Sequence, residues 1–478
     1  MFHYKAAEGH INDPNGPCFW NGRWHLFYQH LDGRAWAWGH AVSEDLLHWE
    51  ELPDAILPSW RTSPEDAGHS GAGSCWSGAV CVAEGKAAAV FYGHGTADNC
   101  GLYVMTASDP MLMDWRNVTE GAAIPSVQVF NEGNDPEDPY PYEEVPYCEV
   151  PMLYDPCIWY EDGVYHILSG GVMRNAATGG FRRQEYLYTS SDLIHWEFRG
   201  SLIPDESYGE TEDDGACPYF LPWKDDKTAG DHRLLLHFSH QYGPRYVMGT
   251  YDKAALQFTP YAGARVDRIS SMDSYHAPAL FAGTSDGAML AVYVMHGRGI
   301  PSVMSMVHRW ERCGEHFEDI AVSPAADLQA LAKERRAIAA GADKIELGTE
   351  SLALELAVRY DKTAAYPTLH FHRKDGTEIG VLSLHANAGS SRKRLRRWTV
   401  ADYVSLSLAD RPDAAPPQIV QLPATEGEWR LTLVKDGDAM EIFFPDAMSI
   451  GRRIYGDTDG MYLTLTGGVL ESGEMLVL

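Results

Sequence analysis

Asp13-Pro14-Asn15-Gly16-Pro17-Cys18-Phe19-Trp20-Asn21-Gly22-Arg23-Trp24-His25-Leu26-Phe27-Tyr28 is echoed further along the chain by Asp155-Pro156-Cys157-Ile158-Trp159-Tyr160-Glu161-Asp162-Gly163-Val164-Tyr165-His166-Ile167-Leu168. Each copy is a polar head, a short strand, a tight turn and an apolar return strand, the pattern of a β-hairpin closed by Asn-Gly or Asp-Gly. Weaker copies begin at Cys75-Trp76-Ser77-Gly78, at Cys217-Pro218-Tyr219-Phe220 and at Ala277-Pro278-Ala279-Leu280-Phe281. A second echo closes the first and third units: Ser43-Glu44-Asp45-Leu46-Leu47-His48-Trp49-Glu50 matches Ser190-Ser191-Asp192-Leu193-Ile194-His195-Trp196-Glu197. Five such units predict an all-β chain built on a five-bladed β-propeller over residues 1–322. In that architecture the first strand of every blade lines the central channel, so the polar heads converge at one mouth and Asp13 and Asp155 become neighbours.

Beyond the repeat, Ala325 to Glu334 reads as a helical segment after Pro324, and residues 323–339 are expected to form a helical linker. From 340 to 478 short alternating strands such as Leu352–Val358 and Met440–Phe444, with Asp-Gly turns at 375, 436 and 459, predict a β-sandwich. Acidic stretches at 131–144 and 205–214 interrupt the repeat and read first as solvated loops, the alternative being loops that hang over the channel mouth and supply a carboxylate.

The chain has 478 residues and a formal net charge of -29, which disfavours nucleic acid or an anionic membrane as partner and suits a neutral small-molecule or oligosaccharide substrate. Its eight cysteines show no C-x-x-C pair, so free thiols are expected rather than zinc or a disulfide framework, and no calcium-loop spacing occurs in the acidic stretches. No apolar run is long enough for a membrane helix, and Met1-Phe2-His3-Tyr4-Lys5 leads into the first motif without a charged-then-apolar leader, giving an expectation of a cytoplasmic protein. Oligomeric state is not legible.

An Asp on a rigid turn between two Asn amides, Asn12-Asp13-Pro14-Asn15, suits attack on a sugar, because the amides can meet hydroxyls while the backbone is fixed. Retaining cleavage of a glycosidic bond uses one carboxylate as nucleophile and another as acid then base, roughly 5–5.5 Å apart. Asn12-Asp13-Pro14-Asn15-Gly16, Gln29, Trp38-Gly39-His40, Trp76-Ser77-Gly78 and Asp155-Pro156 together resemble glycoside hydrolase family 32, the family of invertases, inulinases, levanases and fructosyltransferases. The resemblance implies a retaining β-fructofuranosidase of propeller-plus-sandwich fold that needs no cofactor. Asp13 would be its nucleophile and Asp155 its transition-state stabiliser. Asn12, Gln29, Trp38, Trp76 and Ser77 match positions that shape the family's fructose subsite, and Tyr154 and His276 are further substrate-binding candidates.

Two positions depart from the family pattern. Tyr154 stands where an Arg normally precedes the stabiliser, and Ala216 stands where the general-acid Glu normally precedes Cys-Pro. A positioned proton donor is worth about 10²- to 10⁴-fold in rate. Three readings therefore stay open: a relocated acid, with Asp214 or Glu149 as the candidates; a fructoside whose linkage needs an acid elsewhere; or a sugar-binding protein that no longer hydrolyses.

Overall fold

The computed structural model describes residues 2–31, 33–94, 100–126, 151–174, 181–203, 215–223, 230–239, 243–261, 267–268, 274–284, 289–313, 320–386, 402–408 and 418–478. Five antiparallel sheets follow one another in sequence, each with a hairpin at its centre. Their innermost strands are His10–Trp20, Ser74–Ala83, Met152–Glu161, Ala216–Pro222 and Tyr275–Leu280. Each innermost strand packs beside the next, and the fifth returns to the first, closing a ring of five blades. A parallel bridge between Cys18 and Ala282 seals the ring, with Phe19 N donating to Ala282 O and Ala282 N donating to Pro17 O, both at 2.8 Å.

The hairpins take the geometry their turn residues favour. Asn21-Gly22, Glu84-Gly85 and Asp162-Gly163 all have positive φ at both positions, which matches the right-handed twist of the flanking strands. The two corner motifs also fold alike. Asp45 accepts hydrogen bonds from Leu47 N and His48 N and pairs with His48 Nδ1, and Asp192 does the same with Ile194 N, His195 N and His195 Nδ1.

Every innermost strand carries a β-bulge. It falls at Asn12-Asp13 opposite Gln29, at Trp76-Ser77, at Asp155, at Cys217-Pro218 and at Ala277-Pro278, with a second irregularity in the first strand at Gly16-Pro17. A bulged residue sits between ladder rungs and its side chain is re-aimed, so these positions lose the strict alternation of the strand. Gly16 is there for space as well as conformation: φ is +43°, and a Cβ would lie 2.2 Å from Val80 N of the second blade.

The connector is helical over Leu328–Leu331 only, a single turn capped by Asp327, whose side chain accepts from Ala330 N. Glu334–Ile338, expected within the helical linker, is instead an edge strand paired with Val469–Val477, because the chain's last strand offers a free ladder. The C-terminal unit is two six-stranded sheets around a core that includes Leu352, Leu354, Trp429 and Leu463, as expected for a sandwich.

Propeller and sandwich are joined through buried charge. Glu441 of the sandwich accepts from Met306 N at 2.6 Å and Tyr275 Oη at 2.8 Å and contacts His3 Nε2 at 2.8 Å and His308 Nε2 at 2.6 Å. Asp436 accepts from Phe2 N and His3 N. Burial alone would drive the His3 imidazole down, but its bonds to Asp436 and Glu441 raise it to about 9. Burial also works against the Glu441 carboxylate, yet the charges and hydrogen bonds of His308 and His3 hold it well below the usual range.

Candidate active site

Four blades meet at Asp13. Its carboxylate is buried, with Oδ2 accepting from Ser77 Oγ of the second blade at 2.5 Å and lying 3.8 Å from Cys217 Sγ of the fourth. Oδ1 lies 3.6 Å from His276 Nδ1 of the fifth. Ser77 is oriented in turn: Gln29 Nε2 donates to Ser77 Oγ at 2.7 Å, and Asn12 Nδ2 donates to Gln29 Oε1 at 2.8 Å. Because the Ser77 oxygen already accepts from Gln29, its own proton is directed at Asp13. The chain Asn12, Gln29, Ser77, Asp13 thus fixes the carboxylate in one rotamer.

Burial pushes the Asp13 carboxyl upward, but the His276 imidazole and the Ser77 hydroxyl outweigh it, and the group is held below the ordinary Asp range. It stays ionised while enclosed, the state a carboxylate nucleophile requires. His276 is packed on Phe238, ring centroids 4.0 Å apart, and against His296 at 4.7 Å. His296, which the sequence did not flag, is lowered to about 4, by burial first and then by the neighbouring His276.

Asp155 occupies the single bulge of the third blade's innermost strand, half-buried, with φ +46°. The preceding Tyr154 is buried, its carbonyl accepting from Ser169 Oγ at 2.8 Å and its ring lying over Gly170, where a Cβ would come within 2.5 Å. Trp76 is half-buried beside His94. Trp38, expected to shape a sugar subsite directly, has no exposed surface; it lies in the core between the first two blades, and its Nε1 donates to Trp76 O at 2.8 Å. Its influence on the site runs through the Trp76 backbone. Asn15 is likewise fully buried, so only Asn12 of the two flanking amides is partly open to solvent. Glu149 and Asp214 lie outside the described residues.

Ala216 is buried at the start of the fourth blade's innermost strand. A carboxylate that the sequence did not single out lies close by. Glu185, on the third strand of the third blade, is buried and pairs with His237 Nδ1 at 2.9 Å. A carboxylate directly before the apolar run Tyr186-Leu187-Tyr188, and a His inside Leu234-Leu235-Leu236-His237-Phe238, are the signals that could have marked them.

Comparison with known proteins agrees with this fold. The chain is 28% identical over 295 residues to a β-fructofuranosidase, insoluble isoenzyme 7, of Oryza sativa subsp. indica, covering 56% of this chain and 43% of the relative. It is 26% identical over 287 residues to a fructan 6-exohydrolase of Beta vulgaris, covering 55% and 42%. It therefore spans less than half the length of either curated relative. Among solved structures, fructan 1-exohydrolase IIa from Cichorium intybus shares the fold with a TM-score of 0.76 at 17% identity, covering 100% of this chain and 96% of that one. Sucrose-6-phosphate hydrolase from Lactobacillus gasseri gives 0.73 at 19%, covering 100% and 92%. The Glycosyl hydrolases family 32 N-terminal domain matches residues 3–323, the whole propeller with its buried Asp13 at the convergence of the blades, and the chain belongs to that family.

Proposed function

We propose that the protein is a retaining glycoside hydrolase acting on β-fructofuranosides such as sucrose or inulin- and levan-type fructo-oligosaccharides. The observation that carries this reading is Asp13, enclosed, held ionised by Ser77 and His276, and locked in place by Gln29 and Asn12. In the reaction Asp13 attacks the anomeric carbon of the fructosyl unit while a carboxylic acid protonates the departing oxygen. Water then releases fructose from the ester, and net configuration is retained. Asp155 holds fructose hydroxyls as positive charge develops on the ring. Since Ala216 supplies no proton, the donor comes from elsewhere in the chain, and the sequence offers Asp214, two residues earlier, and Glu149, six residues before Asp155.

Ala216 also favours a second reading, a carbohydrate-binding protein of the same fold that does not hydrolyse. A sugar rather than water accepting the fructosyl group would make the protein a fructosyltransferase. Purified protein incubated with sucrose, inulin, levan and short fructans, with released sugars quantified, separates these. Free fructose with retained anomeric configuration, abolished in Asp13→Asn, is the expected result. Binding of these sugars by calorimetry without release of any product would overturn the enzyme reading, and elongated oligosaccharides in place of fructose would mark transfer.

A further inference from the structure

We propose that Glu185, paired with His237, is the proton donor of this site, standing in for the carboxylate that position 216 lacks. The inference rests on the fructosidase reading above. Glu185 belongs to the third blade, yet its carboxylate reaches into the fourth: Oε1 lies 2.8 Å from the point a Cβ on Gly215 would occupy. Gly215 has φ +58°, so the residue before Ala216 is the one that makes room for the carboxylate. Gly170, the ladder partner of Glu185, clears the other side, since a Cβ there would lie 2.9 Å from Gly215 O.

On the far flank of Ala216, Cys217 Sγ is 3.8 Å from Asp13 Oδ2. Two residues of extended chain span at most roughly 7 Å. Glu185 and Asp13 thus each contact a residue adjacent to Ala216, the one at Gly215 and the other at Cys217. His237 lies in the ladder gap opposite the Cys217-Pro218 bulge, because Phe238 pairs with Ala216 and Leu236 with Tyr219. Its Nδ1 is 2.9 Å from Glu185 Oε1, and the two side chains are 6% and 9% exposed. A buried acid and imidazole beside a reaction centre is an arrangement that serves proton transfer, whereas it contributes little net stability compared with an apolar pair.

The chemistry balances with water as the only co-reactant. The Glu185 carboxyl gives its proton to the glycosidic oxygen as the bond from that oxygen to the anomeric carbon breaks and the Asp13 ester forms. The resulting Glu185 carboxylate then takes a proton from water as the water oxygen displaces Asp13, which restores both groups. His237 holds the carboxyl in position through both steps.

The test compares wild type and Glu185→Gln on sucrose and on a nitrophenyl β-fructofuranoside, whose leaving group departs without protonation. With sucrose, kcat/KM is expected to fall about 10²- to 10⁴-fold and the alkaline limb of the pH profile to disappear. With the aryl fructoside, kcat/KM stays within about tenfold, while kcat falls and is restored by azide, which forms the fructosyl azide. Retained aryl activity is itself the check that the variant has folded, and Glu185→Asp, which keeps the acid, should recover part of the sucrose rate. Equal losses on both substrates with an unchanged pH profile and no azide effect would overturn the proposal and leave Glu185 a tie between blades. The leaving-group signature appearing in Asp214→Asn or Glu149→Gln instead would also overturn it. A wild-type protein that cleaves neither substrate would sink the fructosidase reading and this proposal with it; an active wild type with an indifferent Glu185→Gln would sink this proposal alone.

Discussion

Replacing Ser77 by Ala removes the hydroxyl that donates to Asp13 Oδ2 at 2.5 Å and leaves the Gln29 amide without its acceptor. A hydrogen bond to an ionised group contributes about 1.5–3 kcal/mol, and one pKa unit corresponds to about 1.4 kcal/mol, so the Asp13 carboxyl should rise by roughly one to two units. The direction follows from the present balance: Asp13 lies below its ordinary value because His276 and Ser77 together overcome the effect of burial, and removing one of them lets burial gain. The nucleophile must be ionised to attack. In the wild type it remains so as pH falls below the usual carboxylate range, whereas in Ser77→Ala the protonated form takes over sooner. The acid limb of kcat/KM for an aryl fructoside, followed from about pH 3 to pH 8, is expected to move upward by about one to two units. Gln29→Ala should move it the same way by less, since Gln29 acts on Asp13 only by orienting Ser77. An acid limb that stays in place while the plateau drops would refute the reasoning and assign Ser77 to the substrate.

Glu441→Gln should cost about 3–5 kcal/mol of stability, measured by denaturant unfolding, because it removes the buried carboxylate on which His3 and His308 both converge. A loss under about 1 kcal/mol would show that the junction does not depend on that charge. His3 makes the junction pH-sensitive on the alkaline side. Its value is raised from 6.5 to about 9, so its contribution is complete below pH 6.5 and is lost as pH rises through 9. That slope amounts to about 3 kcal/mol and should vanish in His3→Gln; a wild type equally stable at both ends of that window would contradict it. Gly16→Ala should lower the melting temperature, since its Cβ would meet Val80 N at 2.2 Å from a left-handed backbone, at a cost of about 1–3 kcal/mol; an unchanged melting temperature would mean the two blades can part locally.

The repeat was legible because its punctuation is local. Asn21-Gly22 and Asp162-Gly163 encode their own turns, and the Asp45 and Asp192 corners bond only to residues two and three positions away. The convergence on Asp13 followed from counting units and knowing that innermost strands line a channel. What failed was what depends on partners distant in sequence. Trp38 sits in the third strand of its blade, and only the packing of the second blade against it decides that its indole is enclosed. Residues 334–338 have the composition of a helix continuation, but a strand more than a hundred residues later captures them. Glu185 is invisible as a site residue until Gly215 of another blade is seen beneath its carboxylate.

The bulges of the innermost strands separate what the ring needs from what the site needs. Asp13, Ser77, Asp155 and Cys217 all sit in gaps of the ladder with no rung opposite them, so the register of each hairpin does not depend on which side chain they carry. Substitution at such a position changes the chemistry offered to the channel without rethreading a single strand. A ring in which every innermost strand carries such a gap is a scaffold on which catalytic groups can be exchanged between blades, and the function lost at one wall can be taken up from the next.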